Sequence, residues 1–143
     1  MSRIIQTDSV GNQRTRLTKA IVISIRELMK QTKPNSLTKD LAAFIAIALE
    51  EVAKTVEVTV APWEKRDYWV KADTFRREWG WAGRLGGEMR KAAVLEDWGE
   101  VAMVAAQVGT HLQKVEVSPR HRMGTPWVGA WDRLHEDGKN GRP

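Results

Sequence analysis

An unbroken heptad pattern in the middle of the chain constrains its fold more than any other feature. Small or apolar residues follow one another there at alternating spacings of four and three. Such spacing is typical of the buried face of an α-helix that packs against other helices. Pro62 marks a kink or a new start, since proline is tolerated in the first turn of a helix, and we predict a helix over residues 63–94. The pattern consists of Tyr68, Ala72, Phe75, Trp79, Ala82, Gly86, Met89 and Ala93.

Three further segments share this periodicity and predict helices of their own. Ser36 suits an N-cap, and Asp97 with Glu100 has the spacing of a capping box. Four such helices joined by short turns predict an all-α protein, an antiparallel four-helix bundle with a long third helix, in one domain of residues 1–117. The three segments are residues 11–32, 36–60 and 98–117.

The remainder of the chain, residues 118–143, is predicted to be a basic tail. Pro126 suits the first turn of a helix, and apolar residues follow it at helical spacing. We therefore predict a short amphipathic helix over residues 126–136. Its apolar residues are Trp127, Trp131 and Leu134.

The predicted third helix is apolar over a wider arc than the buried face of a simple bundle requires. At about 100° per residue, one flank beside the heptad positions carries Trp63, Val70, Trp81 and Leu85. The opposite flank carries Gly80, Gly83 and Gly87 beside Trp69. The back of the helix carries Arg66, Asp73, Arg77, Arg84 and Lys91.

Two interpretations of these flanks stay open at the level of sequence. The tryptophans could pack on other helices of the same chain, or they could form an assembly surface, since tryptophan and arginine are common anchors of protein interfaces. Each mid-helix glycine costs about 1 kcal/mol relative to alanine, and a closely approaching second backbone would account for several of them. The candidate interface residues are Trp63, Val70, Trp81, Leu85, Gly80, Gly83, Gly87, Trp127 and Trp131.

The net charge of +5 suggests a second kind of partner. Residues 1–35 carry seven Lys and Arg against two Asp and Glu, and residues 61–94 carry eight against five. Basic segments such as these have two explanations. They could attract neighbouring helices of opposite charge within the protein, or they could form a surface that binds nucleic-acid phosphates. The candidate phosphate contacts are Arg66, Arg77, Arg84, Lys91, Arg14, Arg16, Arg120 and Arg122.

The sequence contains no motif that predicts catalysis, a metal or a cofactor. The chain has no cysteine, and its three histidines are scattered outside the spacings typical of metal sites. Asp132, His135 and Glu136 lie within one turn, and we interpret them as a solvated charge cluster. We therefore expect no enzymatic activity, no metal and no cofactor.

The hypotheses drawn from the sequence are a binding module and, as the alternative, a nucleic-acid accessory protein. The first would self-associate or dock on a larger protein through the tryptophan-rich third helix, and the second would use the basic ridge. The longest apolar run, "LAAFIAIAL", is too short to cross a membrane. With no signal-peptide core and no cysteine, a cytoplasmic location is expected.

Overall fold

Five helices account for most of the chain. The structure, a computed structural model, describes residues 7–140 and the side chains of residues 9–136. In chain order the helices are α1 (Thr7–Met29), α2 (Ser36–Lys65), α3 (Trp69–Val94), α4 (Trp98–His111) and α5 (Ala130–Asn140). No strand occurs within residues 7–140, which confirms the all-α prediction. Residues 1–6 of the predicted domain and residues 141–143 of the predicted tail lie outside the described residues.

The longest helix is α2, not α3 as predicted, and the others are arranged around it. It packs against α1, α3 and α5, while α4 contacts α3 and, less extensively, α1. Its apolar residues therefore extend around the helix rather than along one stripe. Three of the large ones, Leu41, Ile45 and Leu49, are completely buried. None of the helices in the described range combines the length and the apolar character needed to cross a membrane.

The predicted break at Pro62 is wrong, because α2 continues through this proline to Lys65. A proline removes one backbone hydrogen bond from a helix interior. The buried side chains of Thr59 and Val60 nevertheless hold the last turns against the core. The chain turns instead at Asp67, which has a left-handed φ of 63°, a conformation that aspartate tolerates better than most residues.

The heptad pattern corresponds to the packed face of α3 from Ala72 onward, whereas its first residue, Tyr68, precedes the helix and is 51% exposed. Its small residues, Ala72, Ala82 and Ala93, are completely buried. At Gly86 an added Cβ would lie 3.0 Å from the Cβ of Leu49 and 3.3 Å from the backbone nitrogen of Glu50. This glycine is therefore required by the close approach of α3 to α2.

We expect Gly86→Ala and Gly87→Ala to change stability in opposite directions. Crowding against α2 should cost about 1–3 kcal/mol at Gly86, whereas at Gly87 an added Cβ meets nothing within 4 Å. There the higher helix propensity of alanine should stabilise the protein by up to about 1 kcal/mol. Urea unfolding of both variants measures the difference, and equal midpoints would contradict the close packing at Gly86.

The fourth helix ends at His111, earlier than the predicted residue 117. Pro119 disfavours a helical conformation in the residue before it, and the β-branched Val115 and Val117 lie in a segment without regular secondary structure. Val117 is buried there, so the chain leaves α4 and continues along the core.

The last helix begins at Ala130 rather than at Pro126, because residues 126–129 form a turn that ends at Gly129, with a φ of 81°. The Asp40 carboxylate of α2 holds this end of the helix. It accepts hydrogen bonds from the backbone nitrogens of Gly129 at 3.3 Å and Trp131 at 2.9 Å. A side chain of α2 thus caps α5 in the way that an N-cap residue usually does.

Candidate interaction surface

The first candidate interface residue, Trp63, lies at the end of α2 and not on α3 as predicted. Its indole is half-buried and meets the ring of Phe75 edge to face, with 5.5 Å between centroids. The Lys71 ammonium lies 4.4 Å from the indole centroid. Trp63 therefore joins α2 to α3 and has most of its contacts within the chain.

Two other candidates on the same predicted flank, Trp81 and Leu85, are buried inside the chain. The Trp81 indole stacks on the His111 ring of α4 at 4.4 Å between centroids, and the Trp79 ring centroid lies 6.0 Å from that of Trp81. The wide apolar arc of α3 is thus explained in part by a second neighbouring helix. These two residues offer no accessible surface to a partner.

The candidates in the C-terminal segment also pack on their own chain. Trp127 is 8% exposed and joins the main core, and Trp131 is half-buried. The Lys39 ammonium of α2 lies 5.5 Å from the Trp131 centroid. The short amphipathic helix thus turns its apolar side toward α2.

One candidate phosphate contact, Arg14 of α1, is enclosed by protein groups. Its guanidinium donates to the hydroxyls of Thr55 and Thr59 at 3.2 and 3.1 Å. The same group lies over the rings of Phe75 and Trp79, 4.9 and 5.6 Å from their centroids. Burial lowers the pKa of the Arg14 guanidinium. Arg14 therefore joins three helices and is only partly exposed.

The predicted basic ridge on α3 is shorter than expected and is partly neutralised. Arg66 lies in the turn after α2 and is not part of α3. The Arg77 guanidinium is 2.9 Å from the Asp73 carboxylate, and the Arg84 guanidinium is 4.0 Å from that of Glu88. The ridge therefore carries charges of both signs along its length.

The remaining candidate phosphate contacts, Arg16, Arg120 and Arg122, are exposed but lie outside α3. Arg16 is on α1, where it lines a cleft together with Met123. Arg120 and Arg122 belong to the loop between α4 and α5. The structure therefore divides the predicted basic residues among several elements.

One side of α3 remains uncovered from end to end, and we call it the α3 face. At its start Trp69 is 57% and Val70 80% exposed, and at its end Leu95 is 66% exposed. The sequence placed Trp69 beside the glycines but did not select it as a contact. The α3 face consists of Trp69, Val70, Asp73, Arg77, Gly80, Arg84, Gly87, Glu88, Lys91, Val94 and Leu95.

The start of the α3 face forms one wall of an open cavity of about 440 Å³. Arg76 lines the same cavity and donates to Glu57 at 2.9 and 3.0 Å and to Glu64. The hydrogen bond to Glu57 and, after it, the one to Glu64 raise the pKa of the Arg76 guanidinium. The hydrogen bond from Arg76 lowers the pKa of the Glu57 carboxyl. The ion pairs fix α3 to α2 beside the exposed Trp69 indole.

No metal-binding arrangement is found among the residues that the structure describes, where no three His, Cys, Asp or Glu side chains converge. His135 of the predicted charge cluster has its Nδ1 atom 2.8 Å from the carbonyl oxygen of Trp131. It is thus engaged with its own helix.

No protein-family model matches the chain, and comparison with curated proteins and with solved structures finds no significant match.

Proposed function

We propose that this chain is a non-enzymatic binding module that associates with proteins through the α3 face. The exposure of Trp69 and Val70 side by side carries this proposal. Large apolar side chains are usually exposed singly, and a contiguous group of them is typical of an interaction site. Tyr68, which is 51% exposed, extends the group on its N-terminal side.

The arrangement of helices that we propose to support this face is an antiparallel four-helix bundle of α1 to α4. The contacts of α2 with α1 and α3, of α3 with α4, and of α4 with α1 support it. In such a bundle each helix has two neighbours and one side toward solvent. Arg76 and its two glutamates on α2 would then hold the α3 face rigid, which lowers the entropy lost on binding.

We expect the double variant Trp69→Glu/Val70→Glu to lose its protein partner, because both changes place a charge in the apolar contact. Tagged wild-type and variant chains would be isolated from the native host, and each retained protein would be identified, purified and tested for direct binding. Val128→Glu is the matched control, since Val128 is 67% exposed in the loop before α5. Binding to the double variant should be at least about tenfold weaker, as expected when two large apolar contact residues are replaced by charges.

A purified partner that binds the double variant as well as the wild type would exclude the α3 face as the contact. The same conclusion would follow if neither another protein nor an untagged copy of this chain were retained by the wild type. Circular dichroism of all three proteins checks that the glutamates have not unfolded α3.

The nucleic-acid hypothesis stays a prediction with less structural support. Asp73 and Glu88 lie beside two of its arginines, and Arg14 is enclosed. A titration against single- and double-stranded DNA and RNA decides it, because phosphate contacts make affinity fall steeply as salt rises. Absence of binding at low salt would exclude it.

A further inference from the structure

We infer that the partner of the α3 face is the α3 face of a second copy of this chain, packed antiparallel about a two-fold axis beside Ala82. This inference rests on the proposed function and names its partner. In a two-fold interface the same surface of both copies is in contact. A surface that forms such an interface must therefore be complementary to itself when it is turned by 180°. The α3 face has this property in its charges, its glycines and its apolar ends.

Four of the five charged residues of the α3 face lie beside an opposite charge when the helix is reversed about Ala82. Asp73 lies nine residues before Ala82 and Lys91 nine residues after it. Each Asp73 would therefore meet the Lys91 of the second copy, and the two-fold axis produces this pair twice. Arg77 would in the same way lie beside Glu88, so opposite charges meet near both ends of the contact.

The exposed glycines lie opposite the longest side chains of the face in this arrangement. Gly80 would face Arg84, and Gly87 would face Arg77. An added Cβ meets nothing within 4 Å at either glycine, so packing inside the chain requires neither of them. Since each costs helix stability of about 1 kcal/mol, room for an arginine of a second copy accounts for their positions.

The apolar ends of the face also meet. Trp69 lies thirteen residues before Ala82, and Leu95 lies thirteen residues after it. The exposed indole of one copy would therefore pack on the exposed leucine of the other, and Val70 would lie level with Val94. In the single chain these four large apolar side chains are all exposed to water.

The expected contact is long and narrow. The 26 residues of α3 extend over about 39 Å at 1.5 Å per residue, and a helix with its side chains is about 10 Å wide. Such a contact falls at the lower end of the sizes of specific interfaces, so we expect a weak dimer with a dissociation constant in the micromolar range or above.

Cross-linking through introduced thiols tests the register directly, because the chain has no cysteine of its own. Helix axes about 8–10 Å apart bring facing Cα atoms within the range that a disulfide spans. We expect an equimolar mixture of Asp73→Cys and Lys91→Cys chains to form disulfide-linked dimers under mild oxidation, at least about tenfold faster than either variant alone. Asp73→Cys mixed with Val58→Cys, an exposed position on α2, is the control for random collision.

Fast cross-linking of either single variant by itself would indicate a parallel or shifted contact and would overturn the inference. A mixture that cross-links no faster than the Val58 control would overturn it as well. Under the proposed register, the two copies of residue 73 lie about 27 Å apart along the helix, and so do the two copies of residue 91, so neither variant alone can form the disulfide.

Charge reversal tests the same antiparallel contact independently and requires no introduced cysteine. Sedimentation equilibrium up to several hundred micromolar should show dimers about tenfold weaker for Asp73→Lys and for Lys91→Asp, because each replaces two attractive contacts by two repulsive ones. The double variant Asp73→Lys/Lys91→Asp should recover the wild-type dimer. Failure of this recovery, or a wild type that stays monomeric, overturns the inference. The proposed function would survive if another purified protein still required Trp69 and Val70.

Discussion

Deletion of residues 118–143 is expected to abolish cooperative unfolding of the protein. The deleted segment places Trp127, Ala130 and Leu134 in the main core, where Leu134 is only 1% exposed. Removing a buried tryptophan costs about 3–5 kcal/mol, and removing a buried leucine costs about 2–5 kcal/mol. Together these losses approach the whole stability of an ordinary domain, about 5–15 kcal/mol. Urea unfolding followed by circular dichroism measures the effect.

The polar contacts of the same segment increase the expected loss. Asp40 would lose the two backbone hydrogen bonds by which it caps α5. The Arg90 guanidinium, held by two hydrogen bonds to Glu50, also donates to the carbonyl oxygen of Leu134 at 3.4 Å. Deletion would therefore leave charged groups on α2 and α3 beside newly exposed apolar surface.

Single substitutions keep this prediction testable if the shortened chain does not fold at all. Leu134→Ala should lower the free energy of unfolding by about 2–5 kcal/mol, and the exposed Val128→Ala should change it by less than about 0.5 kcal/mol. A shortened chain that unfolds cooperatively within about 1 kcal/mol of the full chain would contradict the contribution of this segment. That result would favour the predicted division into a domain of residues 1–117 and a separate tail.

The type and approximate place of the helices follow from the sequence because they depend on local periodicity and caps. Asp97 accepts a hydrogen bond from the backbone nitrogen of Glu100, as its spacing predicted. At the start of α2 the N-cap is Asn35, one residue before the predicted Ser36, and it forms a capping box with Thr38. At α2 and α4, local signals thus identify the start of the helix to within a residue.

Helix ends that depend on tertiary packing were less predictable. Pro62 is a strong local signal for a break, yet it lies inside α2, where buried neighbours offset the lost hydrogen bond. The turn occurs at Asp67, whose φ is left-handed although glycine is the residue that usually marks such a position in a sequence. Trp63 therefore lies at the end of α2 and Arg66 in the turn after it, whereas the sequence predicted both on the third helix.

The accessible part of the candidate surface could be predicted only in part, because a helical wheel gives the direction of a side chain but not its neighbours. The flank containing Trp81 is covered by His111 of α4. The flank containing Trp69 and the open glycines has no such cover, and with the back of the helix and Val70 it forms the α3 face. Which flank remains exposed depends on where α4 packs, and periodicity within α3 contains no information about that position.

Trp81→Ala and Trp69→Ala should therefore differ greatly in stability, although both remove an indole from α3. Trp81 is 9% exposed and stacks on His111, so its loss should cost about 3–5 kcal/mol. Trp69 is 57% exposed, and its loss should change the free energy of unfolding by less than about 0.5 kcal/mol. Urea unfolding by circular dichroism compares them at a protein concentration too low for association.

Association should show the opposite order for the two tryptophans. Trp69→Ala should weaken binding through the α3 face while leaving the fold intact. Trp81→Phe, which retains an aromatic ring in the core, should keep both the fold and the association. Equal losses of stability for Trp81→Ala and Trp69→Ala would contradict the burial of Trp81 behind α4. The tryptophan-rich flank would then have to be reconsidered as the surface that α3 presents to a partner.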